Sequence, residues 1–523
     1  MDKVFLAIFN ACFLFYSLGF VHGMHSCSDV PFVQICNDFI GQNLAQTQHQ
    51  TPFMFRDQSL LVTMNQAIEA HQMISNMDLS SFDNKAKLAW TDCLELYEDT
   101  LDHLNRSLSS RNPIDSQTWL SAAIASQQTC KNGFIDFNLA YHLESLPFMV
   151  MSNLSKLLTN SLAINKATVS SSYNTNKVGG RRLLADGFPR WVSAGDRRLL
   201  QSSRGATAAD IVVAQDGSGN YKTISEAVAA SVNRRSGTKR FVIYVKKGVY
   251  KENVEIKKSM KNLMFIGDGI DSTVVTGNKN AQDGSTTFRS ATFGVSGEGF
   301  IAKDMTFENT AGPQKHQAVA LRSGSDFSVF YSCSVKGYQD TLYVYSQRQF
   351  YRNCDIYGTI DFIFGDAVVV LQNCNIYVRK PMSNQKNTVT AQARTDPNEN
   401  TGIVIHNSRV TAASDLGPLR GSFKTYLGRP WQKYSRTLFM KSNLDGLIDP
   451  AGWLPWSGNF ALSTLFYGEY MNTGSGANTG GRVKWPGYHV ITKASDAAKF
   501  TVGNFLAGDS WIPATGVPFD SGL

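Results

Sequence analysis

Asp340 and Asp361 stand 21 residues apart, each seven residues after a cysteine and each inside a glycine- and aromatic-rich phrase, "GYQDTLY" and "YGTIDFIFG". Two carboxyl groups in matched surroundings can do acid–base or nucleophilic work if the chain brings them together. Aligned on Cys333, Cys354 and Cys374, the residues Phe330, Tyr351 and Leu371 lie three before, and Val335, Ile356 and Ile376 two after, at spacings of 21 and 20. A period of that length suits one turn of a parallel β-solenoid. Equivalent residues on successive turns stack at the strand separation of roughly 4.8 Å, which puts Asp340 and Asp361 one above the other. Carboxylates that close repel when both are ionised, so one keeps its proton to higher pH while the other stays charged. The pair then supplies one acid and one base or nucleophile. An aspartate ladder that only hydrogen-bonds turns is the structural alternative, and the flanking residues decide against it. Gln317 and Gln339 offer amide donors for a developing oxyanion. Arg429 offers a cation that keeps a nucleophilic carboxylate ionised and oriented, and Trp431 an aromatic face suited to a sugar ring.

The elements that must carry these residues follow from the rest of the chain. At 523 residues it is too long for one ordinary core, so two domains plus processed segments are expected. "MDKVFLAIFNACFLFYSLGFVHG" sets one lysine before an apolar run that closes in small and polar residues, a cleaved secretory signal over residues 1–23. The run is shorter than the roughly 20 residues a membrane-spanning helix needs, and no later segment looks apolar enough to span. Residues 24–165 read as amphipathic helices: Leu60, Met64, Ile68 and Ile74, then Ala89, Cys93, Leu96, Leu101, Leu104 and Leu108, fall near helical spacing. Residues 166–207, rich in Ser, Asn, Gly and Arg, read as a linker that carries "RRLL" twice, at 181–184 and 197–200, as sites for a processing protease. Residues 208–523 read as short β-rich runs broken by Gly, Asn and Asp, and the matched repeats favour a β-helix over a β-sandwich.

Charge and cysteines restrict the setting. Residues 1–200 hold 17 acidic and 15 basic side chains, and residues 201–523 hold 25 and 35. A basic second half is drawn to a polyanion such as an anionic membrane or an acidic polysaccharide, and secretion disfavours nucleic acid. Setting aside Cys12 in the signal, seven cysteines remain. Cys27 and Cys36 are close enough to staple an N-terminal turn and Cys93 and Cys130 could tie two helices, although four cysteines allow three pairings. The repeat register sets Cys354 beside Cys374, so a disulfide between turns is expected there with Cys333 left over, a Cys333–Cys354 bond being nearly as well placed. Asn105 and Asn153 head N-x-S glycosylation sequons.

"HQAVALR", "GYQDTLY", "YGTIDFIFG" and "YLGRPW", in this order over residues 208–520, resemble the plant pectin methylesterases, carbohydrate esterases built on a right-handed parallel β-helix. Residues 27–165 resemble the pectin methylesterase inhibitor fold, a helical bundle that forms the pro-region of many such enzymes, mainly through cysteine placement. The resemblance implies a secreted cell-wall enzyme, monomeric when mature, that acts on methylesterified pectin without metal or organic cofactor. It implies that Asp361 attacks the C6 methyl ester of galacturonate and that Asp340 is the acid and then the base. It further implies that Gln339, with Gln317 beside it, stabilises the oxyanion, that Arg429 holds the nucleophile, and that Trp431 stacks on sugar. Thr287 matches a substrate-contacting threonine, with Thr286 an equal chemical candidate. Asp366 departs from the asparagine common in the family and could raise the pKa of Asp361 or weaken binding of acidic pectin. Two other readings stand beside this one. A polygalacturonase on the same scaffold would need carboxyls roughly 6.5 to 9.5 Å apart for inverting hydrolysis, wider than adjacent turns allow. The helical domain could also act as an esterase inhibitor, of its own partner domain or of separate enzymes.

Overall fold

The computed structural model describes residues 26–41, 51–175, 209–234 and 239–523. The expected signal and both RRLL sites lie outside the described residues.

Four long helices form the N-terminal bundle: α1 (Pro52–Ser75), α2 (Asn84–Ser109), α3 (Pro113–Asp136) and α4 (Leu154–Thr175). Their starts are written in the sequence. The Thr51 hydroxyl accepts from the Met54 amide and the Asp83 carboxylate from the Ala86 amide, each satisfying a donor that a helix N-terminus leaves open. Pro52 and Pro113 sit in first-turn positions, where no intrahelical N–H is lost. Cys27–Cys36 closes the N-terminal turn and Cys93–Cys130 ties α2 to α3. Helix α4 continues to Thr175, so the first ten residues of the expected linker are helical. The Ser- and Asn-rich composition that suggests a linker is compatible with a helix held by packing. Asn105 is exposed on α2, and Asn153, just before α4, is half-buried.

Among the described residues, those from 209 onward wind into a parallel β-helix of three sheets with 11, 7 and 8 strands. Every strand pair among them is parallel, which a sandwich of hairpins cannot produce. The repeat alignment is the pairing register: Phe330 pairs with Tyr351 and Tyr351 with Leu371, while Val335 pairs with Ile356 and Ile356 with Ile376. Stacked rings add to the ladder, with Phe330 and Tyr351 4.7 Å apart and 8° from parallel. At one corner a residue with positive φ recurs just before each ladder position: Ser332, Asn353, Asn373 and Asn407. Asparagine tolerates that left-handed conformation better than other non-glycine residues, hence its repetition.

The cysteine ladder differs from expectation. Cys333, Cys354 and Cys374 are all free and buried, so no Cys354–Cys374 bond exists. Each thiol donates to a carbonyl instead, Cys333 to Tyr331 (3.5 Å), Cys354 to Phe330 (3.3 Å) and Cys374 to Gln372 (3.5 Å). Stacked residues share one side-chain orientation, so the sulfurs stand in a row as neighbouring thiols, hydrogen-bonded to one another but not covalently joined. Serines continue the ladder, since the Cys374 amide donates to the Ser408 hydroxyl and the Ser408 amide to that of Ser442. These positions take any small residue with a weak donor. Native protein is therefore expected to leave these three thiols untouched by a thiol reagent and to release all three in denaturant without reductant. Recovery of one alone would restore the disulfide.

Candidate active site

Asp340 and Asp361 occupy the same corner of successive turns, two residues ahead of the paired strands Leu342–Val344 and Ile363–Gly365. Both have positive φ, 59° and 50°, a conformation that aspartate reaches more readily than most residues. The Asp340 amide donates to the Ile360 carbonyl (3.0 Å), locking the two corners in register.

Their surroundings are unequal. Arg429, just after the strand Thr425–Gly428, donates Nε to Asp361 Oδ1 (2.9 Å) and Nη2 to Oδ2 (2.6 Å), a bidentate charge-assisted pair. The guanidinium also lies over the Trp456 ring, 4.3 Å from its centroid. Gly428 lets this strand approach, because a Cβ there would lie 2.1 Å from the Thr390 hydroxyl oxygen. Thr388 Oγ1 donates to Asp361 Oδ1 (2.6 Å) and accepts from the Asp361 amide (2.9 Å). Asp340 has no such cation pair. Burial, then the negative charge of Asp361 and that of Asp136, push its carboxyl well above the ordinary range, with Arg429 opposing. One carboxylate is thus oriented and charge-compensated, and its neighbour holds a proton.

A cavity of about 280 Å³ gathers Asp340 and Asp361 with Gln317, Gln339, Thr287, Arg429 and Trp431. All seven site residues expected from the sequence line this one space. The Gln317 and Gln339 side chains form no hydrogen bond among the described residues, so their amides remain available to an oxyanion. Thr286 and Thr287 separate: the Thr286 hydroxyl donates to Asp92 (2.6 Å), while Thr287 presents its amide to Asp136 (3.1 Å). Asp366 does not line the cavity. It is buried and accepts from Gln392 (3.0 Å), and burial raises its carboxyl above the ordinary range.

Sequence reasoning missed Thr388, Trp456, and the aromatic wall of Phe288, Tyr343 and Phe364. Only Tyr343 and Phe364 had a signal, since they flank the aspartates and stack at 4.3 Å. Thr388→Val is expected to lower kcat ten- to a hundredfold with KM nearly unchanged, because it removes one hydrogen bond that orients the carboxylate. An unchanged kcat would leave Thr388 with a folding role only.

The bundle closes this cavity. Thr129, Asn132, Gly133, Ile135 and Asp136 of α3 form one wall. Around it Arg289 pairs with Asp92 (2.6 Å) and Glu95, Arg348 with Asp115 (2.5 Å), and Lys258 with Asp99 (3.2 Å). The Trp119 indole donates to Asp326 (2.9 Å). One apolar cluster runs from Leu120 and Phe134 to Phe288, Tyr345 and Phe364. The acidic half of the chain lies against the basic half.

Against known proteins, residues 210–509 match the Pectinesterase family. The chain belongs to that family. Residues 24–164 match the plant invertase/pectin methylesterase inhibitor family. Over 96% of its length the chain is 55% identical to a probable pectinesterase/pectinesterase inhibitor of Arabidopsis thaliana, covering 94% of that relative. It is 54% identical to Pectinesterase 2 of Citrus sinensis over 95% of this chain and 94% of that one. Among solved structures, the pectin methylesterase from carrot superposes with a TM-score of 0.59 at 61% identity, covering 60% of this chain and 98% of that chain. The Aspergillus niger pectin methylesterase gives 0.50 at 32% identity, covering 58% and 94%. The Arabidopsis and Citrus relatives match nearly the whole chain, both domains included. As a pectinesterase, the protein is a carboxylic ester hydrolase.

Proposed function

We propose that this pectinesterase demethylesterifies pectin through an aspartyl acyl-enzyme. The observation that carries the reading is the inequality of the pair: Arg429 grips Asp361 while Asp340 keeps its proton. Asp361 attacks the C6 ester carbonyl of a galacturonate unit, and the oxyanion takes hydrogen bonds from Gln339 and Gln317. The tetrahedral intermediate collapses, the C–O bond to methoxide breaks, and Asp340 delivers its proton so that methanol leaves. Asp340, now a carboxylate, takes a proton from water as that water attacks the acyl carbon. The Asp361–acyl bond breaks, releasing a free uronate and restoring both aspartates. Trp431 supports the sugar by stacking, and Thr287 contacts it from the facing wall.

The chain is read as reaching the cell wall by secretion, with residues 1–23 removed and cleavage at an RRLL sequence freeing a monomeric β-helix near residue 208. Asn105 and Asn153 are the glycosylation candidates. The bundle is read as an inhibitor in cis, because α3 occupies one wall of the cleft that pectin must enter. Purified residues 201–523 should release methanol from methylesterified pectin without new reducing ends. Reducing ends without methanol would instead favour a polygalacturonase. Among the described residues no helix is long and apolar enough to cross a membrane.

A further inference from the structure

A second cavity, of about 790 Å³, opens beyond the other end of the strand that carries Thr388, and it shares no lining residue with the catalytic cavity. Arg394 on its wall lies six residues past Thr388, roughly 20 Å along an extended chain. Four cations line it: Lys166 from α4, with Arg394, Arg436 and Lys499 from the β-helix. Arg394 donates only to backbone carbonyls, those of Glu399 (2.9 Å), Pro397 (2.5 Å) and Tyr434 (3.3 Å). Arg436 donates from its side chain to the Thr401 carbonyl (3.1 Å). Neither arginine forms an ion pair with a carboxylate among the described residues, although each is largely withdrawn from water.

The one carboxyl on the wall offsets them only in part. Glu399 Oε1 accepts from the amides of Thr395 (2.9 Å) and Asp396 (2.6 Å), and its other oxygen faces Asp366. Burial and that neighbour push Glu399 well above the carboxylate range, so the pair retains a proton. Asp496 engages Lys499 (2.8 Å) on the rim. Asp366 and Glu399 attract both arginines and Asp396 attracts Arg394, but none forms a direct ion pair with them, and an anion in the cavity would supply that contact. The same wall is aromatic. Phe466 stacks on Phe500 at 5.5 Å, Phe500 meets Phe505 at 5.8 Å, and Phe505 and Arg436 close over Gly402, 3.2 and 3.0 Å from where a Cβ would stand.

Guanidiniums fit a carboxylate bidentately and aromatic faces fit a sugar ring. We propose that this cavity binds a carboxylate-bearing sugar chain, the de-esterified product, at a place separate from the catalytic cleft. The choice of a uronate rests on pectin as substrate. That reading is tested independently by methanol release from the freed β-helix, which Lys499→Glu should leave unchanged, so either can fail without the other.

The test is calorimetric titration of the full chain with trigalacturonate at low ionic strength. Wild type and Trp431→Ala should bind within about twofold of each other. Arg436→Gln and Lys499→Glu should bind at least tenfold more weakly, and maltotriose should give no heat. Lys499 is exposed, so its variant carries the test if Arg436→Gln fails to fold. No binding by wild type, unchanged binding by Lys499→Glu, or loss of binding in Trp431→Ala would each overturn the proposal. Displacement by equimolar sulfate would overturn the sugar assignment.

Discussion

Asp361→Ala in the freed β-helix should lose methanol release from esterified pectin by at least about 10⁴-fold, the scale seen when a covalent nucleophile is deleted. The loss should fall on kcat, because Trp431, Gln317 and Thr287 still line the cleft and still meet the substrate. Arg429 would then be a half-buried cation without its partner, so melting has to be checked alongside activity. Asp361→Asn keeps the shape and should be nearly as inactive, since a neutral amide is a poor nucleophile. Asp340→Asn removes proton delivery but not attack, and a smaller loss of about 10² to 10⁴ is expected. The two effects should not add, because both groups serve one reaction coordinate. An Asp361→Ala protein that keeps full activity would overturn the acyl-enzyme mechanism. The protonated state of Asp340 also gives the pH dependence a sign. Its acid role disappears as pH rises through its elevated pKa, so kcat should fall on the alkaline side, and the Asp340→Asn residual rate should lack that limb.

The intact chain should release methanol at least a hundredfold more slowly than the freed β-helix. A tethered cover acts at an effective concentration of millimolar order, and pectin must displace α3 and the Asp92–Arg289, Asp115–Arg348 and Asp99–Lys258 ion pairs to reach Asp361. Arg289→Glu sets like charges against Asp92 and Glu95 and should raise the activity of the intact chain tenfold or more, leaving the freed β-helix unchanged. Equal activities before and after cleavage would remove any inhibitory role.

Docking should also follow pH. Burial raises Asp92 and Asp136 and raises Asp99 to about 6. A group whose pKa is higher docked than free takes up a proton on docking, so these three favour the closed state at acid pH and lose that contribution as pH rises. His103, buried and next to Arg106, is lowered to about 4 and acts in the opposite direction between that value and its ordinary one. Asp99, at about 6, sets the range, so closure weakens from pH 5 to pH 7, measurable as faster methanol release by the intact chain relative to the freed one.

Part of this was legible because a solenoid writes its register into its period. From Phe330 to Ile376 the turns repeat at 21 and 20 residues, so the aspartate pair, the ring ladder and the cysteine ladder all follow from alignment. Beyond Cys374 the next ladder positions, Ser408 and Ser442, come at intervals of 34 residues, with loops inserted in each turn. Thr388 reaches Asp361 across one such turn, and Trp456 reaches Arg429 across another. No local pattern carries those contacts.

By itself the sequence determined the stacking of Asp340 on Asp361, the motif residues that gather around them and the helical nature of the N-terminal half. Those depend on periodicity and on residue type, which are local. Only the tertiary structure decided that the three ladder thiols remain free, that Thr286 faces the bundle while Thr287 meets Asp136, and that Asp366 turns away from the cleft. It also decided that α3 walls the site. Each is an orientation or a contact between segments far apart in the chain, set by packing that no spacing of residues encodes.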